Sequence, residues 1–222
     1  MASRGVLRGS MRALLDTPPH SPQSPHAPDL PALLRAAGAG DDRAWRAIID
    51  LYARRVYALV KSRVGPGRHD LAEEVTQSVF VTVATKLSGR VGEEGGAYVE
   101  QGKFESWLFR IVMNRLRDEI RRQRRHAEPT DPSSAVFVSA DTEGADPDMP
   151  EDLRRLREAI GSLSEADRQV VELRHHAGMS FKQISELLDE PLGTLLARHH
   201  RALKKLKDLM TGNTPPTAAR PA

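Results

Sequence analysis

The chain has 222 residues, of which 39% are hydrophobic and 28% charged, with a net charge of +3 and an isoelectric point near 9.4. That length allows one ordinary domain or two small ones of globular composition, and an aromatic content of only 5% favours helices over sheets. With no cysteine there is no disulfide framework, thiolate nucleophile or Cys-ligated zinc, a composition that suits the cytoplasm.

Arg4, Arg8 and Arg12 flank short apolar pieces, but no apolar core of signal-peptide length follows them. Nowhere does an apolar run approach the roughly 20 residues that cross a bilayer, so no membrane insertion is expected. Residues 16–31 hold six prolines among Ser and His and are expected to be disordered, part of an N-terminal extension over 1–28, with Met11 as an alternative start.

Trp45, Ile48, Ile49, Tyr52, Val56, Leu59 and Val60 recur at helical spacing, predicting a helix over 42–64 that Gly65-Pro66-Gly67 ends. A second helix is predicted from Asp70 to Leu87, with Leu71, Val75, Val79, Phe80, Val83 and Leu87 facing inward. After a loop rich in glycine (Gly89, Gly92, Gly95, Gly96, Gly102), a third helix runs from Phe104 to Arg125. Its apolar face is Phe104, Trp107, Leu108, Ile111, Val112, Leu116 and Ile120.

From His126 to Asp152 there are eight acids, four prolines and no Lys or Arg, the composition of a flexible linker. Helical patterning resumes at Leu153 and continues to Met210 as four short helices. Ser164 with Asp167, and Ser180 with Gln183, mark capping-box starts. The last residues, 211–222, hold three prolines and are expected to be loose. The fold class is therefore all-α: two small helical domains, 29–125 and 153–210, joined by the acidic segment 126–152. One core is expected around Trp45, Trp107 and Ile111 and a separate one around Leu173, Ile184 and Leu203.

Two constellations point to nucleic acid. On the third helix Arg110, Asn114, Arg117, Arg121 and Arg124 are spaced by four, three, four and three, which places them on one stripe opposite the core face. Arginine is permanently charged and forks onto phosphate, and an Asn beside it can read a base edge. A solubilising face paired with carboxylates would carry the same spacing. The other constellation runs from Ser180 to Lys207: a short capped helix, a turn at Asp189-Glu190-Pro191, and a longer basic helix. Leu192, Leu195, His199, Leu203 and Leu206 are expected to point inward, and Thr194, Arg198, Arg201 and Lys205 outward. This is the helix-turn-helix pattern, whose second helix enters the major groove, although an ordinary helical hairpin shares its outline.

The pairs His175-His176 and His199-His200 invite a metal reading, but neighbours on a helix point about 100° apart and cannot share one ion. No phosphate loop, nucleophile elbow or paired catalytic motif is present, so neither a cofactor, a metal nor an enzymatic activity is expected.

Three stretches in the first half resemble the first domain of extracytoplasmic-function sigma factors. They run from Leu51 to Tyr57, from Asp70 to Phe80 and from Gly102 to Asn114. The segments 163–174, 178–184 and 193–202 resemble the second domain, in the family order. The resemblance implies a protein that binds core RNA polymerase, directs it to promoter DNA and initiates transcription. It further implies that Arg110, Asn114, Arg117, Arg121 and Arg124 meet the melted −10 element. Thr194, Arg198, Arg201 and Lys205 would read the distal −35 element, and Asp70, Glu73, Glu74 and Gln77 would dock on the polymerase. An anti-sigma factor would be a further partner. The family often has Lys where Leu196 stands and Gly where Asp189 stands, and its loop before Phe104 is shorter. His199, where an apolar residue is usual, is expected to sit inward as a neutral packing histidine. A regulator with a ligand-sensing first domain would need a pocket or an oligomerisation face, where this first domain instead spends a helix face on arginines, and a nucleic-acid enzyme would need a metal or nucleophile site that the sequence does not offer.

Overall fold

The computed structural model describes residues 29–65, 67–89, 98, 101–126 and 150–211, with the side chains of Arg124 and His126 left aside. Among these residues there are eight helices and no strand. They are α1 (Leu30–Gly38), α2 (Asp42–Val64), α3 (His69–Leu87), α4 (Phe104–His126), α5 (Glu151–Gly161), α6 (Glu165–His175), α7 (Phe181–Leu188) and α8 (Leu192–Met210).

The first helix corrects the expectation of disorder through residue 31. Asp29 caps it, its carboxylate accepting from the Ala32 amide at 3.3 Å. Pro31 stands in the first turn, where its missing N–H would have had no partner. Asp41 caps α2 in the same way, through the amides of Arg43 and Ala44. The N-terminal extension 1–28, most of the linker and the tail beyond Thr211 lie outside the described residues.

The apolar stripes predicted for α2, α3 and α4 meet as expected. Ile48, Tyr52, Val56, Leu59 and Val60 are buried against Val75, Val79, Phe80 and Val83 of α3 and Phe104, Leu108 and Val112 of α4. Rings lock the seam, with Trp45 edge-on to Phe80 and Tyr52 edge-on to Phe104 at 6.3 and 5.4 Å. The buried Thr76 hydroxyl donates to the Ala72 carbonyl within its own helix, so the core strands no polar group there.

The expectation of two separate cores does not hold. Val170, Leu173, Ala177, Met179, Ile184, Leu187 and Leu195 belong to the same buried cluster as Phe109 and Ile111, because α7 lies across α4 and α6 touches α2. Among the described residues a small second cluster stands apart, formed by Ala159, Leu163, Val171, Ala202 and Leu206 between α5, α6 and α8. Leu203, predicted as a core residue, is 41% exposed. Contacts with α5 and α6 rotate α8 so that Ala202 and Leu206 face inward and Leu203 slides to the flank.

Polar contacts knit the halves as well. Arg55 of α2 donates through Nε to the Ala177 carbonyl at 2.6 Å and forks onto both oxygens of Glu105 at 2.7 and 3.2 Å. Gln183 of α7 donates to the same carboxylate at 2.7 Å. Gly178 permits this approach twice over. Its φ is +66°, and a Cβ there would stand 3.3 Å from Arg55 Nε. Arg63 bridges from α2 to Glu165 and Glu172 of α6.

Candidate nucleic-acid interface

α7 and α8 form a capped helix-turn-helix. The Ser180 hydroxyl accepts from the Gln183 amide at 3.2 Å, and the Gln183 side chain accepts from the Ser180 amide at 2.7 Å, completing the capping box read from the sequence. The other expected box is half made. Ser164 accepts from the Asp167 amide, but the Asp167 carboxylate turns to Arg201 instead of returning to the cap. At the turn, Asp189 takes the left-handed conformation, φ 55° and ψ 44°, one of the few non-glycine residues suited to it. Ser185 donates to the Glu190 carbonyl at 2.5 Å and fixes the corner.

On α8 the inward side is Leu195, Ala202 and Leu206, with His199 and Leu209 half-buried beside them. His199 lies as expected on the inner flank. It stacks on His175 with ring centroids 5.3 Å apart and meets the edge of Phe181. Its Nε2 lies 3.0 Å from that of His175. Partial burial, then the charges of His175, Arg174 and His200, push its pKa down and favour the neutral ring. Among the described residues no group of three or more metal-ligating side chains gathers.

The predicted reading stripe of α8 lies on its other flank and is not free. Arg198 grips both oxygens of Glu190 at 2.7 and 2.6 Å. Arg201 forks onto Asp167 at 2.9 and 3.5 Å, and Lys205 donates to the Ser162 carbonyl at 2.5 Å. The Arg201 hydrogen bond holds the Asp167 carboxyl below its usual range, and the partnership raises Arg201 in turn. Thr194 is exposed. The surface directly opposite the buried side is instead Gly193, Ala197, His200, Lys204 and Lys207, all exposed.

The α4 stripe is more open. Arg110, Asn114, Arg117 and Arg121 are all exposed, while the Arg124 side chain lies outside the described residues. Arg117 donates to Asn114 Oδ1 at 3.1 Å, which orients the amide along the stripe. Arg110, nearest α7, donates to the Glu186 carbonyl at 3.1 Å. The remaining predicted group, Asp70, Glu73, Glu74 and Gln77, shares one side of α3. Val81, 47% exposed, continues that side one turn further.

The contacts that Arg55, Arg63, Glu105, Glu172 and Gln183 make between distant helices were missed by sequence reasoning, since no local spacing pairs positions 50 to 122 apart. At Glu105, burial opposes the charge, but the hydrogen bond and charge of Arg55 outweigh it and lower the pKa. Glu172, 1% exposed, goes the other way: burial raises its pKa despite Arg63 and Arg168.

Comparison with known proteins agrees with this geometry. Residues 153–206, which span α6, α7 and most of α5 and α8, match the family described as sigma-70, region 4. The chain is 31% identical over 181 residues to the extracytoplasmic-function (ECF) RNA polymerase sigma factor SigE of Mycolicibacterium smegmatis, covering 78% of this chain and 64% of that protein. The chain is thus similar to extracytoplasmic-function sigma factors over most of its length, and it spans less than two thirds of the SigE chain. SigK of Mycobacterium tuberculosis is 27% identical over 190 residues, which cover 82% of this chain and 94% of SigK. Two solved structures share the fold. CnrH in complex with the cytosolic domain of CnrY has a TM-score of 0.56 at 23% identity, covering 82% of this chain and 97% of CnrH. The sigma factor RpoE of Bartonella quintana, in complex with the anti-sigma factor NepR, has a TM-score of 0.53 at 20% identity, covering 78% and 99%. No described helix is long and apolar enough to cross a membrane.

Proposed function

We propose that this chain is an extracytoplasmic-function sigma factor that binds core RNA polymerase, directs it to specific promoters and starts transcription from them, acting in the cytoplasm without an enzymatic activity of its own. The observation that carries this reading is the pair of basic helices. One, α8, follows a capped helix-turn-helix corner; the other, α4, exposes Asn114, Arg117 and Arg121 on one stripe. A duplex reader belongs to the first geometry. A permanently charged row with an oriented amide suits the backbone and free base edges of a melted strand.

The division of work follows the two halves. Residues 29–125 dock on the polymerase and hold the melted element, and residues 153–210 recognise the distal element across the acidic segment 126–152. Docking uses the α3 side carrying Asp70, Glu73, Glu74 and Gln77, whose charges steer a basic partner while Val81 adds an apolar contact. Arg110 joins the melted-strand stripe once α7 releases it, since Glu186 holds it in the closed packing. An anti-sigma factor, as found with RpoE, is a fitting inhibitor.

Run-off transcription with core polymerase tests the whole reading: added chain should give discrete transcripts from genomic fragments, and their absence would end it. Glu74→Lys tests the docking side. Association with core polymerase should weaken about tenfold or more, because a like charge at a docking face repels the partner. Unchanged association would remove that role from α3.

A further inference from the structure

We propose that the recognition helix reads the distal promoter element chiefly by apolar contact, with Leu196 and Ala197 meeting thymine methyl groups in the major groove. The inference rests on the promoter-binding reading above and names the chemistry of that site.

The cations expected to read bases are turned aside. Arg198 is closed onto Glu190, and Arg201 and Lys205 are drawn toward the α5–α6 corner by Asp167 and the Ser162 carbonyl. An arginine already forked onto a carboxylate must break that pair before it can fork onto guanine, so recognition through it gives up part of what it gains. The first two turns of α8, the part of a recognition helix that reaches base edges, present something else. Leu192 and Leu196 are each 46% exposed, and Ala197 is exposed beside Leu196.

Exposed leucines on a helix otherwise rich in Lys, Arg and His need a ligand that is apolar at its centre and anionic at its edge. The B-form major groove has that pattern. Its one apolar group is the thymine C5 methyl, and phosphates line both rims. His200, Lys204 and Lys207 continue the same outer face toward the C-terminal half of the helix. There they meet phosphates, which fix the register without carrying sequence. The apolar tip and the basic shaft thus divide reading from positioning along a single helix.

The test uses the full chain assembled with core RNA polymerase. Duplexes are enriched from a random pool, and each thymine of the enriched distal element is replaced singly by deoxyuridine. That change removes one methyl group and leaves every hydrogen-bonding edge intact. At one or two adjacent positions affinity should fall about fourfold, the worth of one buried methyl-sized group. Leu196→Ala, at an exposed site in a helix that alanine favours, should abolish the loss at one of those positions while the rest of the site is still selected. The inference is overturned if selection is retained but uracil is tolerated everywhere, or if Arg198→Ala and Leu196→Ala show the reverse pattern, with preference relaxed at a guanine. If no element is enriched at all, the promoter-binding reading itself falls, and the inference with it.

Discussion

The two basic helices carry the same sequence signature and meet different fates. In α4 the stripe Asn114, Arg117 and Arg121 stands in solvent, and the one hydrogen bond within it runs from Arg117 to Asn114. In α8 the stripe with equivalent spacing is spent on Glu190, Asp167 and the Ser162 carbonyl. Spacing therefore tells which residues share a side of a helix, but not whether that side is open. The difference comes from neighbours. α8 is flanked by a corner that supplies carboxylates, and α4 by a helix, α7, that reaches only its first arginine.

The largest effect should come from the open stripe. Arg117→Glu combined with Arg121→Glu should cut strand opening on the order of 100-fold, about tenfold for each charge reversed against phosphate. Distal-element binding in a gel shift should be spared. Permanganate footprinting reads the first and would break the comparison if both assays fell together.

The closed packing comes next. Arg55→Ala removes the fork onto Glu105 and the bond to Ala177, and should cost the association of the two halves on the order of 2 kcal/mol. X-ray scattering should show a larger radius of gyration, and Arg110, released with α7, should raise affinity for single-stranded DNA. An unchanged radius would mean that the shared apolar core alone holds the halves together.

At the tied stripe, Arg198→Ala should lower the unfolding free energy by about 1 kcal/mol through the lost pair with Glu190. Base preference should move less than the melting temperature does. A clear relaxation at one base pair, with stability intact, would return Arg198 to the role its spacing suggests.

The smallest effects are those of pH. Asp167 has a lowered pKa, so its pair with Arg201 contributes fully above the ordinary aspartate value of 3.8 and is lost as pH falls through its own lower value. Carboxyl chemical shifts should show Asp167 titrating below ordinary aspartates. Glu172, with its pKa raised by burial, has the opposite sign: its contribution is present below 4.5 and lost as pH rises through its folded value. Glu172→Gln should therefore be neutral or slightly stabilising at pH 7, whereas Glu105→Gln should destabilise. Melting curves of the two variants at neutral pH check the contrast.

What the sequence determined by itself was local. Helical periodicity gave α2, α3 and α4 to within a residue at each end, because buried apolar side chains must recur every three or four positions. The capping box at Ser180 and the turn at Asp189 were legible because caps and turns bond within a few residues. Helix α1 was not, since the prolines that precede it concealed a start at which Pro31 is harmless. Only the tertiary structure decided the rest. It merged the two expected cores by laying α7 on α4, rotated α8 until Ala202 replaced Leu203 inside, and joined Arg55 to Ala177 across 122 positions. Those outcomes depend on which surfaces meet and which carboxylates stand opposite which arginines, and a one-dimensional spacing holds no information about the partner's side of a contact.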